Sequence, residues 1–190
     1  MFSFKKNYYL YIDNTKTINL NSIKIKHKFR IIYRDYNNKE SYKEIKNFYN
    51  KCKKKKIFFI IANNYKLFNR LQADGFYISA YNKKFKHLSY IVKKTLIIGS
   101  AHNYREIYLK KKQGCSEIVL SRIFRTDYSD KKSFLHVIKF NLISNVLNLK
   151  LVPLGGIREK NLNFTKNINC SSFCILSEIK KKPAIISRLF

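Results

Sequence analysis

Short apolar runs alternate with longer amphipathic segments along the whole chain. The runs are rich in β-branched and aromatic residues and nearly continuous in apolar character, which is typical of parallel strands covered on both faces. We therefore expect eight strands, at residues 8–12, 30–34, 57–62, 75–79, 95–99, 117–121, 150–154 and 172–176.

Segments with helical periodicity lie between these strands. In 41–56 the apolar positions share one face and the lysines occupy the other, and Ser41 with Glu44 matches a capping box. Further helical segments are expected at 21–28, 64–72, 84–93, 159–165 and 180–189.

Two more helical segments carry predictions about which face is buried. In 103–112 the expected N-cap residue is Asn103, and the residues expected to face inward are Tyr104, Ile107 and Tyr108. The longest segment, 130–147, has apolar positions in register at Leu135, Ile138, Leu142 and Val146.

Eight strands that alternate with eight helical segments predict a (β/α)₈ TIM barrel rather than an open doubly wound sheet. We expect one domain over residues 1–190. Because such barrels usually take about 250 residues, a chain of this length implies shortened helices and loops. In this architecture the chemistry is expected at the carboxyl ends of the strands.

The composition excludes a disordered chain, since 45% of the 190 residues are hydrophobic and 15% are aromatic. The net charge of +29 comes with 32 Lys, 20 Asn and 25 Ile, a bias spread evenly along the chain. We therefore give the charge little weight as evidence for nucleic-acid binding. It still predicts non-specific attraction of polyanions at low salt.

Neither a membrane segment nor a metal cluster is expected from the sequence. No apolar run approaches the roughly 20 residues that cross a bilayer, and lysines interrupt the opening segment, so we expect a cytoplasmic protein. The four cysteines show no CxxC pair and no Cys/His ligand spacing, which favours free thiols over disulfides or a zinc site.

Small and polar residues follow several of the predicted strands. The pair Gly155–Gly156 follows the seventh strand, and Leu176 with Ser177 ends the eighth. In barrels these two loops often hold a phosphate, because small residues let backbone N–H groups approach its oxygens. The sequence therefore predicts a phosphate subsite at this edge of the barrel.

Four blocks of sequence together resemble the thiamine phosphate synthase/TenI family in order and spacing. They are FIIANNYKLFNRLQADGFYIS (59–79), IIGSAHNYREIYLKKKQGCSEIVL (97–120), IFRTD (123–127) and LVPLGGI (151–157). Family members are (β/α)₈ barrels. Those with synthase activity join a hydroxymethylpyrimidine diphosphate to a thiazole phosphate and release diphosphate. The resemblance implies these two phosphorylated molecules as ligands and magnesium as the family's cofactor.

Carried over position by position, the resemblance implies site residues at the ends of several strands. Arg34 matches the diphosphate-binding segment and Ser100 the pyrimidine side. If the chain catalyses the transfer, the expected catalytic residues are Arg34, Ser100 and Thr126, which would position the substrates. The thiazole phosphate would be surrounded by Thr126, Gly156 and Ser177. We add Gly155, Leu176, Asn63, His102 and Arg122 as candidate substrate-binding residues from their places at strand ends.

The departures from the family pattern concern the metal and one catalytic position. The two aspartates that bind magnesium in the family stand here as Asn63 and Asn82, and amide oxygens supply none of the negative charge that this dication prefers. We therefore assign no metal ligand. Some members of the TenI branch tautomerise a thiazole carboxylate phosphate with a histidine at the position that Arg122 occupies here.

Several readings stay open at this stage. The chain is either an active transferase or a divergent member that only binds a phosphorylated thiamine intermediate. The alternative from another class is a basic nucleic-acid-associated protein on a degenerate barrel, although no RNA-binding motif supports it. His102 is either an acid–base residue or a structural residue at the start of the following helix. The oligomeric state is left open.

Overall fold

The eight strands form a closed, entirely parallel barrel in chain order. The computed structural model describes residues 7–23, 26–35, 39–85, 95–126 and 133–175. The strands are β1 Asn7–Ile12, β2 Phe29–Tyr33, β3 Phe58–Ala62, β4 Gly75–Ile78, β5 Leu96–Ala101, β6 Glu117–Ser121, β7 Leu151–Leu154 and β8 Ser172–Ile175. All eight predicted strands and the TIM-barrel class are confirmed.

Alternation along the strands separates two apolar layers. Inside the barrel lie Tyr9, Tyr11, Ile32, Ile60, Tyr77, Ile98, Val119, Val152 and Cys174, all buried. The other strand residues, such as Phe59, Phe76 and Phe173, pack outward against the helices. This is why the strands read as continuous apolar runs in the sequence.

Four α-helices cover the described part of the barrel: α1 Tyr42–Lys54, α2 Tyr65–Leu71, α3 Tyr104–Lys112 and α4 His136–Leu147. Ser41 and Glu44 form the predicted capping box. Asn64 and Asn103 accept hydrogen bonds at the starts of α2 and α3, so the predicted N-cap at Asn103 is confirmed. Residues 86–94 and 176–190, which hold most of two predicted helices, lie outside the described residues.

Other helix predictions need correction. Where a helix was predicted at 21–28, the described residues form two short 3₁₀ turns, Leu20–Ser22 and Lys26–Lys28. The segment after β7 is also a 3₁₀ helix, Glu159–Asn167. The helix after β6 begins at His136, later than predicted.

The predicted inward faces of α3 and α4 are partly wrong. Ile107 is buried on α3, but Tyr104 and Tyr108 are exposed. On α4 the buried residues are Phe140 and Ile143, whereas Ile138, Leu142 and Val146 are exposed. α4 carries apolar residues around its whole circumference, so its hydrophobic pattern does not define which face is buried.

An ion pair closes the amino-terminal end of the barrel. Arg30 lies 3.4 Å from Glu117, and the Tyr9 hydroxyl donates to the same carboxylate at 2.9 Å. Burial is the main cause that raises the pKa of the Tyr9 phenol. The paired charges therefore occupy the end of the barrel opposite to the expected site.

The four cysteines are free thiols, as predicted. Cys52, Cys115 and Cys174 are buried, and burial raises the pKa of Cys52 and Cys115 to about 12. Among the described residues, no helix is both long enough and apolar enough to span a membrane.

Candidate functional site

Strand alternation places small polar residues around the carboxyl end of the barrel. Tyr77, Ile98 and Val119 face the barrel interior, so the residues two positions further on, Ser79, Ser100 and Ser121, continue the same inner face. Ser79 and Ser100 are buried and Ser121 is half-buried. The barrel mouth is therefore lined on this side by three short hydroxyl side chains.

Arg34 lies directly after β2, at the same end of the barrel. Its backbone N–H donates to the carbonyl of Ile12 at 2.8 Å. Its guanidinium lies 6.0 Å from the centre of the Tyr77 ring, which itself packs edge-on against Tyr11. Burial raises the pKa of Tyr77 to about 12, so the phenol stays protonated. Arg34 thus places a positive charge beside the paired rings of Tyr77 and Tyr11.

Ser100 and His102 connect the carboxyl end of β5 to the neighbouring strands β4 and β6. The Ser100 hydroxyl accepts a hydrogen bond from the backbone N–H of Ala80 at 2.9 Å. The Nδ1 atom of His102 lies 2.8 Å from Oγ of Ser121, and its backbone N–H donates to Glu106 at 2.7 Å. His102 therefore contacts both β6 and the first turn of α3, while its ring stays exposed.

The Gly155–Gly156 pair packs against the loop that follows β6. Both glycines have positive φ, 96° and 70°. A Cβ atom on Gly156 would lie 2.5 Å from the carbonyl oxygen of Arg125 and 2.6 Å from that of Phe124. The Gly155 carbonyl accepts from Phe124 N–H, and the Gly156 carbonyl accepts from Asn161. The two loops thus form one continuous backbone surface.

Arg122 and Thr126 lie on this same surface. The Arg122 guanidinium donates to the Thr126 hydroxyl at 2.7 Å and to the carbonyl of Ser133 at 2.7 Å. Its aliphatic stem passes over Gly155, where an added Cβ would lie 3.1 Å from Arg122 Cγ. Arg122 therefore braces the loop that carries Thr126. The neighbouring Arg125 is exposed.

The two asparagines at the family's metal positions hydrogen-bond with each other. Asn82 Nδ2 donates to Asn63 Oδ1 at 3.2 Å, and the backbone N–H of Ser79 donates to the same oxygen at 3.0 Å. Asn63 adopts a positive φ of 56°, which asparagine tolerates better than most residues. The amide pair ties the end of β3 to the loop after β4.

This donor set does not fit magnesium. The Oδ1 atom of Asn63 already accepts two hydrogen bonds, and neither asparagine supplies the anionic oxygen that the ion prefers. Within the described ranges, no group of three or more His, Cys, Asp or Glu side chains could hold a metal ion.

Leu176 and Ser177 lie outside the described residues. The sequence reasoning overlooked Ser121, although its place two positions after Val119 on β6 puts it on the inner face. That alternation is the signal that could have identified it.

A separate crevice of about 270 Å³ lies outside the barrel wall. It lies between β2, β3 and the helices α1 and α2, and its lining includes Tyr33, Asp35, Glu40, Tyr42 and Arg70. The Tyr33 hydroxyl contacts both Asp35 and Glu40, at 3.2 and 2.9 Å. Because Tyr33 faces the helices, this crevice is distinct from the barrel mouth.

Comparison with known families identifies the relationship. The family model described as thiamine monophosphate synthase matches residues 15–179. The chain belongs to the thiamine monophosphate synthase family. This membership confirms the resemblance found in the four sequence blocks, and it supports the thiamine reading over the nucleic-acid alternative.

Curated relatives carry the same family name. The thiamine-phosphate synthase of Prochlorococcus marinus subsp. pastoris is 29% identical over 154 residues, which are 80% of this chain and 43% of that protein. The thiamine-phosphate synthase of Fusobacterium nucleatum subsp. nucleatum is 27% identical over 139 residues, 70% of this chain and 68% of that protein. The chain thus spans less than half the length of the Prochlorococcus relative.

Solved structures share the fold at low sequence identity. Thiamine phosphate pyrophosphorylase from Pyrococcus furiosus superposes with a TM-score of 0.72 at 13% identity, covering 97% of this chain and 95% of that one. KGPDC from Streptococcus mutans gives 0.67 at 10% identity, with 97% and 94% covered. These likenesses support the barrel architecture alone.

Proposed function

We propose that the chain binds a thiazole phosphate and a hydroxymethylpyrimidine diphosphate at the barrel mouth and joins them to thiamine phosphate. The observation that carries this proposal is the packing of Gly155–Gly156 on the loop that holds Arg122 and Thr126. The glycine pair carries no side chains, so its backbone N–H groups can be approached closely, and the hydroxyl and the guanidinium beside it suit a phosphate group.

The thiazole phosphate would lie between the loops after β6 and β7. The carbonyls of Gly155 and Gly156 accept hydrogen bonds from Phe124 N–H and Asn161, so they are directed into the protein. The phosphate oxygens would then accept hydrogen bonds from backbone N–H groups of this turn and from the Thr126 hydroxyl. We place Leu176 and Ser177 beside this phosphate from the family pattern only.

The pyrimidine diphosphate would lie nearer β2 to β5. In the proposed reaction the bond from the pyrimidine methylene carbon to the diphosphate oxygen breaks, and the oxygen keeps the electron pair. The thiazole nitrogen donates its lone pair to the same carbon, which gives the thiazolium product without a proton transfer. Arg34 would stabilise the departing diphosphate, and Ser100 would orient the pyrimidine.

Magnesium does not enter this proposal. Family membership implies magnesium as a cofactor, but Asn63 and Asn82 hydrogen-bond with each other and offer no carboxylate. His102 is assigned a positioning role between Ser121 and α3, and the cytoplasmic location and single-domain organisation remain predictions.

Replacing Arg34 by glutamine tests the diphosphate subsite. A charge-assisted, guanidinium–phosphate hydrogen bond contributes about 1.5–3 kcal/mol, so we expect affinity for the pyrimidine diphosphate to fall about 10- to 100-fold. Affinity for the thiazole phosphate should change little. Isothermal titration with each ligand at physiological salt measures both constants.

The control is Lys54→Gln, which removes the same unit of charge from an exposed position in the last turn of α1. It should leave both affinities unchanged. Equal losses in the two variants would mean that net charge, and not Arg34, attracts the diphosphate, and the proposed subsite would be wrong.

A further inference from the structure

Lys110 on α3 is fully buried, which is unusual for a lysine. Its ammonium donates to the backbone carbonyl of Asn82 at 2.7 Å and to Oε1 of Gln113 at 2.8 Å. Both acceptors are uncharged. Burial lowers the pKa of this lysine, and the negative charge of Glu106 opposes that change.

Gln113 completes the contact with the same loop. Its Nε2 atom donates to the carbonyls of Asn82 at 3.1 Å and of Lys84 at 3.0 Å, and its side chain is also fully buried. Two buried side chains, one on α3 and one at its C-cap, thus hold the carbonyls of Asn82 and Lys84 in the loop after β4. The hydrogen bonds run from the helix to the loop backbone, so they constrain its path directly.

The barrel wall provides space for the lysine stem. Gly99 on β5 lies beneath it, and a Cβ atom there would come within 2.9 Å of Cβ and Cγ of Lys110 and of the Cys115 sulfur. The small residue on the strand and the long residue on the helix therefore fit together. Lys110 lies in this space along its whole length and does not reach solvent.

We propose that Lys110 and Gln113 are positioning residues, which hold residues 79–85 against the barrel mouth and pre-form the wall that carries Asn82. The buried Lys110 ammonium fixes this loop through its hydrogen bond to the Asn82 carbonyl. The same loop is held from the other side by Asn63 and Ser100, which accept from the N–H groups of Ser79 and Ala80. The role in ligand binding rests on the proposed function, but the role in ordering the loop does not.

Hydrogen exchange in the ligand-free chain tests the positioning role. Lys110→Met removes the ammonium and keeps most of the side-chain volume. We expect amide exchange in residues 79–85 to become about tenfold faster, as for a segment that opens locally, while exchange in the barrel strands stays unchanged. Lys112→Met, at an exposed position on the same helix, is the matched control and should change nothing.

A second variant keeps the test decisive if Lys110→Met does not fold. Gln113→Leu removes the bonds that Gln113 makes with Lys110 and with the carbonyls of Asn82 and Lys84. The Asn82 carbonyl still accepts from Lys110, so faster exchange is expected at residues 84–85 in particular. Unchanged exchange in either folded variant would overturn the proposal.

Ligand titration separates this proposal from the proposed function. If the loop forms the pyrimidine side of the site, Lys110→Met should weaken pyrimidine diphosphate binding about fivefold and leave thiazole phosphate binding within about twofold. Faster loop exchange with unaltered pyrimidine affinity would contradict the loop's place in the site. Absence of binding in the unmodified chain would instead contradict the proposed function, and the exchange result would still stand.

Discussion

Gly156→Ala is expected to destabilise the chain and to weaken binding at the proposed thiazole phosphate subsite. The residue has a φ of 70°, which costs an L-residue about 1–2 kcal/mol. The new Cβ would also meet backbone atoms of Phe124 and Arg125 at 2.5 to 2.7 Å, and overpacking of this kind costs a further 1–3 kcal/mol or so. Urea unfolding should show the sum of the two, and titration should show at least about a tenfold loss of thiazole phosphate affinity.

Gly114→Ala is the matched control for backbone strain. Gly114 has a φ of 73°, but no atom lies within 4 Å of the position that a Cβ would take. We expect this variant to lose only about 1–2 kcal/mol and to bind ligand normally. If the two alanine variants lost equal stability, the tight packing between the loops after β6 and β7 would be wrong.

Replacing both asparagines of the amide pair by aspartate is expected to create a magnesium site. In Asn63→Asp/Asn82→Asp two carboxylates would stand where one amide now donates to the other at 3.2 Å. Their repulsion, about 1–4 kcal/mol at 4 Å near a surface, should destabilise the double variant in EDTA. Magnesium at 100 times its dissociation constant should restore about 2.7 kcal/mol, seen as a rise in Tm.

The comparison must include the unmodified chain and each single variant. The unmodified chain should show no change of Tm with magnesium, because its donor set is neutral. Asn63→Asp alone keeps both donors to its side chain, so it should respond weakly. A magnesium response of the unmodified chain as large as that of the double variant would refute the account of the amide pair.

The sequence predicted the barrel well because its strands are continuous apolar runs, whose positions do not depend on distant contacts. Asn103 and the Ser41–Glu44 capping box were also predictable, since caps are local. The face of α4 was not, because Ile138 and Ile143 are equally apolar and only the barrel decides which one is buried.

The candidate site shows the same limit. The order of the four sequence blocks indicated Gly156 and Arg34, but not which atoms meet. Lys110 is the first of three consecutive lysines and therefore looks like part of a solvated helix end. Its burial depends on Gly99 from a different element, and such a pairing is visible only once the fold brings α3 onto β5.

Titration of the unmodified chain with thiazole phosphate at physiological salt, in EDTA and again in magnesium, tests the central claim most directly. The claim is a phosphate subsite built from the loops after β6 and β7 that needs no divalent cation. We expect one binding site with dissociation constants that agree within about twofold in the two buffers. No binding in either buffer, or binding only with magnesium, would contradict the account.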